Sequence, residues 1–304
     1  MARPLLTLLL LLSLAAAQGV EVEKPKAPVE PLGTVLEMQL RRGQRFTGSN
    51  TVSCTLTMVT KQGQKETSET ESVERTERFL DQVLRSETHG VLEIERTYMK
   101  FFTKARVGDQ PRPDVIQNAL QGQKVEIRER ARRRDIKLAN RGTVEPMVRR
   151  TVGMEIDWRD VFLEDPVRPG DAWEGDSGAL SRSLGAYLNC GTRSRMRIRF
   201  EEIVDRGGSK QAKLYVDWVL EGMRDKNLFT KVTLAGDVYF DFALQRVVSV
   251  DLTGNMIVRG AIIGNGAPKI VKGEGQVLVK SSLRPADIEA AAPEEADDPI
   301  ESAD

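Results

Sequence analysis

The chain has 304 residues, and its 45 basic residues balance 45 acidic ones, so bulk charge favours no polyanion or membrane as partner. One histidine, His89, and two cysteines, Cys54 and Cys190, are too few for the usual zinc, haem or iron–sulfur constellations. That leaves no cofactor implied by composition.

Residues 1–17 read as an export signal. Arg3 precedes the apolar run Leu5–Leu12, and Ala15, Ala16 and Ala17 supply a small-residue cleavage site before Gln18. The run is too short to span a bilayer, and no later stretch reaches the ~18 apolar residues of a membrane helix. The expectation is an exported protein, periplasmic or extracellular, without a transmembrane segment. Residues 18–34 carry Pro25, Pro28 and Pro31 at every third position, which suits an extended, solvated leader.

Two similar corners then organise the chain. Leu40–Ser49 contains Gly43, Phe46 and Gly48; Val167–Asp176 repeats them as Gly170, Trp173 and Gly175, 127 positions on. Each copy reads as a tight turn launching a strand, with one glycine for the turn and an aromatic anchoring the strand to a core. The spacing predicts two β-rich halves, residues 35–164 and 165–284.

Within the first half, Val52, Cys54, Leu56 and Met58 alternate with polar residues, as in a half-wet strand. Lys61–Glu71 reads as a turn and a polar strand, and Val91–Val107 as a further strand. Asp114 could cap a short helix over Val115–Leu120 that Gly122 stops. Lys124–Arg150 holds ten basic and four acidic residues. It fits either a hairpin around Arg132–Arg134 or a helix, and either a solvated face or a grip on an acidic group. Export and the absence of stacking aromatics from this run argue against nucleic acid. A short helix or irregular connector is expected over residues 145–163.

The second half is plainer. Met196, Ile198 and Phe200 alternate before the turn Asp205–Gly208, and Leu214, Val216, Trp218 and Leu220 alternate after it. Leu234–Phe240, Val248–Val258 and Gly275–Leu283 continue the period of two. Such a pattern with no long amphipathic helix predicts an antiparallel meander covered on one side. The last twenty residues, 285–304, hold eight carboxylates and no basic residue, the composition of a disordered acidic tail.

No catalytic signature survives inspection. Gly175-Asp176-Ser177-Gly178 resembles the nucleophile motif of chymotrypsin-like proteases, but His89 stands in the wrong local sequence, and the corner repeat already explains Gly175. The carboxylate pairs Glu93/Glu95, Asp157/Asp160 and Asp237/Asp241 could serve a hydrolase. With so many acidic residues they read first as solvated surface. Gly260–Gly266 lacks the residues of a phosphate loop and reads as a turn. In an oxidising compartment Cys54 and Cys190 could pair, although a thiol buried on a strand is equally ordinary.

The stretch Asp157–Trp173, D-W-R-D-V-F-L-E-D-P-V-R-P-G-D-A-W, resembles one found in exported bacterial β-rich proteins of unknown function. Gly236–Asp241, a strand ending in an Asp-led turn, is similar to them too. The resemblance would cover most of residues 35–284 and carries no catalytic residue. More distantly, these sequences resemble the curved half-barrels that carry lipoproteins or lipids across the periplasm, which implies a concave apolar face. The expected fold is mainly β (α+β), two similar curved antiparallel sheets with a few short helices. The expected function is a non-enzymatic envelope protein binding an apolar ligand or a protein on a concave sheet. A structural or interaction module is the alternative, and a carboxylate-based hydrolase the third reading.

Overall fold

A computed structural model of the chain describes residues 33–286, apart from short stretches at 88–90, 111, 131–132, 140–157 (of which 142, 144, 146 and 152 are described), 189–192 (of which 190 is described), 226 and 264–267. Twelve strands form one antiparallel sheet. They are β1 (Arg45–Gln62), β2 (Lys65–Ser86), β3 (Leu92–Val107), β4 (Asp114–Gln117), β5 (Lys124–Arg130), β6 (Arg133–Leu138), β7 (Ala172–Gly175), β8 (Arg193–Arg206), β9 (Ser209–Asp225), β10 (Leu228–Asp241), β11 (Arg246–Ile262) and β12 (Lys269–Pro285). The order is β6-β5-β3-β2-β1-β12-β11-β10-β9-β8-β7, with β4 also on β3.

Two sheets were expected and one is found, because β1 pairs on both sides. Its residues Phe46–Lys61 oppose Pro285–Ile270 of β12 as well as Asp81–Glu66 of β2. The last strand thus closes against the first, and the two halves share one hydrogen-bonded ladder. The sheet is curved and open. It curls far enough that Arg134 on edge strand β6 donates to Ser183 Oγ at 2.5 Å, on the helix that follows the opposite edge strand β7.

That helix, α1 (Gly178–Tyr187), lies against the inner face. Leu180, Leu184 and Leu188 recur four apart and are buried in the main core with Met196, Val216, Leu234 and Leu252. A single 3-10 turn, Arg159–Val161, and the extended residues 34–40 complete the cover. A second core gathers Phe46, Phe79, Ile94, Tyr98, Ile127 and Leu283 under β1, β2, β3 and β5.

One local expectation changes, and two that were open are resolved in part. Residues 115–117 are strand, not helix. Val115 and Ile116 are β-branched, and Asp114–Gln117 finds an open edge on Ala105–Phe102 of β3. Of the helix expected over 145–163, Arg159–Val161 is a 3-10 turn, and most of the remainder lies outside the described residues. The Arg-rich run is a hairpin, β5–β6, with Glu129 opposite Arg134. Leader residues 18–32 and tail residues 287–304 are likewise outside the described residues.

Candidate functional site

The two corners share their hydrogen bonding. Gln44 N donates to Arg41 O at 3.1 Å, and Asp171 N to Arg168 O at 3.0 Å. The side chains return the bond: Arg41 N donates to Gln44 Oε1, and Arg168 N to Asp171 Oδ2, each at 2.7 Å. Gly43 (φ +86) and Gly170 (φ +101) hold the third turn position, where a type II turn demands positive φ. Gly43 N then reaches Val83 O, as Gly170 N reaches Phe200 O, docking each corner on its neighbouring strand. Phe46 and Trp173 are both buried, Phe46 in the second core and Trp173 in the main one, where its Nε1 donates to Val161 O at 2.9 Å. Gly48 and Gly175 leave no room for a Cβ. At Gly48 it would meet the Phe79 ring, and at Gly175 it would lie 2.7 Å from Val161 O.

The remaining candidate residues that are described make structural contacts. Ser177 is buried just before α1, its Oγ 2.5 Å from Ser194 Oγ and 3.2 Å from Ser181 Oγ. His89 and Asp157 lie outside the described residues. Glu93 and Glu95 stand on the outer face of β3, paired with Arg128 and Lys124 at 2.9 Å each. Asp237 faces Lys213 at 3.5 Å. Buried Asp241 accepts from Ala243 N and Leu244 N at 2.9 Å, holding the β10–β11 turn. Asp160 contributes its carbonyl to Asp176 N.

Cys54 and Cys190 are not joined to each other by a disulfide. Cys54 Sγ lies 3.6 Å from Met256 Sδ on the inner face, and Cys190 is buried just past α1, its thiol pushed up to about 11 by burial. Among the described residues no three His, Cys, Asp or Glu side chains cluster to hold a metal.

A cavity of about 200 Å³ opens where the cover meets itself. Val35, Leu36 and Met38 of the extended segment form one wall, and Phe162 and Leu163 the other. Leu36 and Met38 are buried in the main core, and Phe162 stacks edge-on to Phe240 of β10 at 5.3 Å. Glu37, Arg159 and Glu164 border the opening. Among the bonds that hold the walls, Thr34 and Val167 exchange two backbone hydrogen bonds, Gln39 N donates to Gln245 O, Arg159 Nη1 donates to Glu87 O, and Asp176 N donates to Asp160 O. Nothing in the sequence period marked this site, because its walls come from irregular segments.

No protein-family model matches the chain, and no curated protein matches its sequence. Solved structures similar to it include one on lipid–protein interactions in lipovitellin (11% identity, TM-score 0.42), matched over 84% of this chain and 27% of that one, so the chain spans about a quarter of lipovitellin's length. A second is a domain described as that of an outer membrane lipoprotein-sorting protein from Vibrio parahaemolyticus (11% identity, TM-score 0.23, 80% and 87% covered). A third is the outer membrane protein OprG from Pseudomonas aeruginosa (7% identity, TM-score 0.19, 82% and 100% covered). At these scores and identities none of the three assigns anything to this chain. Among the described residues no helix is long and apolar enough to cross a membrane.

Proposed function

We propose that the chain is an exported, non-enzymatic envelope protein that holds the end of an apolar ligand against its curved sheet, in the cavity between residues 35–38 and 162–163. The supporting observation is that cavity itself, lined by Val35, Leu36, Met38, Phe162 and Leu163 together with the charged Glu37, Arg159 and Glu164. At about 200 Å³ it is smaller than the ~300–1,000 Å³ usual for a whole drug-sized ligand. It therefore suits the terminal part of one acyl chain, with the polar end outside near Arg159. A longer chain would enter only if the cover lifted, which exposes Leu36 and Met38 of the main core. The export setting comes from residues 1–34 alone. For Gly43, Phe46, Gly48, Gly170, Trp173 and Gly175 we propose a purely structural role, as two copies of one strand-launching corner.

A fluorescent fatty acid titrated into the protein tests the reading. Leu163 is partly exposed, so Leu163→Trp can fill the cavity without burying new surface elsewhere. The expected result is saturable binding weakened at least about tenfold by Leu163→Trp, equivalent to ~1.4 kcal/mol. Absence of binding, or binding indifferent to the substitution, would favour the module without a small ligand.

A further inference from the structure

Exposed large apolar side chains of the sheet fall mainly into two groups, one of Met99, Val107, Val115 and Ile116 on β3 and β4 and one at the hairpin tips on the other side of β1. Met223, Phe229, Ile262, Ile263 and Ile270 are between 38% and 71% exposed, and all lie at the hairpin tips β9–β10 and β11–β12. The register places them together. Met223 opposes Phe229, Phe229 opposes Arg259, Arg259 opposes Lys272, and Lys272 opposes Val59, one row across five strands. One step nearer the tips, Ile270 opposes both Ala261 and Lys61, and Ile262 opposes Lys269. Met223, Phe229 and Ile270 project from the outer face, since Leu220, Val232 and Val271 take the inner one.

Cations outnumber carboxylates here in a chain whose total is zero. The described residues of 59–66, 221–231, 257–263 and 268–272 contain Lys61, Lys65, Arg224, Lys231, Arg259, Lys269 and Lys272 against Glu66, Glu221 and Asp225. The footprint ends beyond the β1–β2 tip, where Glu69 and Glu71 of β2 and Asp109 of the β3–β4 turn gather. Apolar side chains on projecting tips, interleaved with cations, are what a peripheral protein needs at a lipid interface. The apolar groups enter the acyl boundary while the cations meet anionic headgroups. A protein partner would be expected to supply carboxylates for these cations and a flat apolar counterpart. The tips instead project on both faces of the sheet, as for insertion into a fluid layer.

We infer that the β9–β10, β11–β12 and β1–β2 tips dock the protein on the surface of an anionic bilayer. This surface is separate from the cavity and stands whether or not the cavity binds a ligand.

Cosedimentation of the purified protein with phosphatidylcholine–phosphatidylglycerol vesicles, against phosphatidylcholine alone, tests it. The protein is expected to partition onto the anionic vesicles and to leave them as salt is raised. Lys269→Glu with Lys272→Glu is expected to weaken partitioning on the order of tenfold or more. Phe229→Ser with Ile263→Ser, both at exposed positions, is expected to weaken it comparably with an unchanged circular dichroism spectrum. Ile203→Ser, exposed towards the other end of β8, is expected to bind as wild type. Equal partitioning onto neutral vesicles, no partitioning, or tip variants that bind like wild type would overturn the inference. So would capture of a protein through the tips while vesicles are ignored.

Discussion

Asp81 and Arg96 face each other across β2 and β3 with both side chains buried, joined by two hydrogen bonds of 2.7 and 2.8 Å. The Arg96 guanidinium also lies over the Phe79 ring, 3.5 Å from its centroid. Removing one partner leaves a charge stranded in the core, so Asp81→Ala should cost ~3–5 kcal/mol by chemical denaturation. Replacing both with leucine should recover most of that loss; no recovery would mean the pair is not the stabilising unit. Gly175 gives a second prediction at this scale. Its Cβ would press on the backbone at Val161 O, which cannot swing aside, so Gly175→Ala should destabilise by about 1–3 kcal/mol. Cys190 gives a third. Burial raises its thiol from 9.0 to about 11, so the folded state holds the proton more tightly than the unfolded chain. That contribution is complete below about pH 9 and is lost as pH rises towards 11, a decline of up to ~2–3 kcal/mol. Melting curves across this range should show a smaller decline in Cys190→Ala, and equal slopes would contradict the assignment.

At the scale of elements, α1 and the segments beside it decide how the inner face is closed. Leu184 is fully buried on α1, and Leu184→Ala should cost ~2–5 kcal/mol while opening space next to the sheet. A cost below ~1 kcal/mol would show that the helix is not packed as described. The strands of the second half were legible because Leu214, Val216, Trp218 and Leu220 alternate cleanly with polar neighbours. The 22-residue β2 was not, beyond its polar start. Its inward positions include Arg75, Glu77 and Asp81, so charge stands where a period-two reading looks for apolar residues. Arg75 is paired with Glu77 of the same strand and lies over the Phe101 ring, a partner that becomes visible only when β3 is alongside. Helix α1 hid for the opposite reason. Its Leu180, Leu184 and Leu188 have helical spacing, but glycines and serines intervene and lower its helix propensity. Gly43 and Gly170 take positive φ, a local demand that a glycine in a turn signals in the sequence.

On the scale of the whole molecule, the pairing of β1 with β12 makes residues 45–285 one ladder, although two cores form beneath it. Trp158, Trp173 and Trp218 all report on the main core, whereas circular dichroism reports on every strand. The two signals should therefore give coincident unfolding transitions. A fluorescence transition separated from the dichroism would mean that the halves unfold independently. The functional account depends on the cover of this ladder yielding at one place. Hydrogen–deuterium exchange with and without a saturating fatty acid examines that place directly. The account expects exchange to change at residues 34–39 and 159–167, with the amides of β8–β12 as slow as before. Unchanged exchange in both cover segments, or a change confined to the strands, would contradict it.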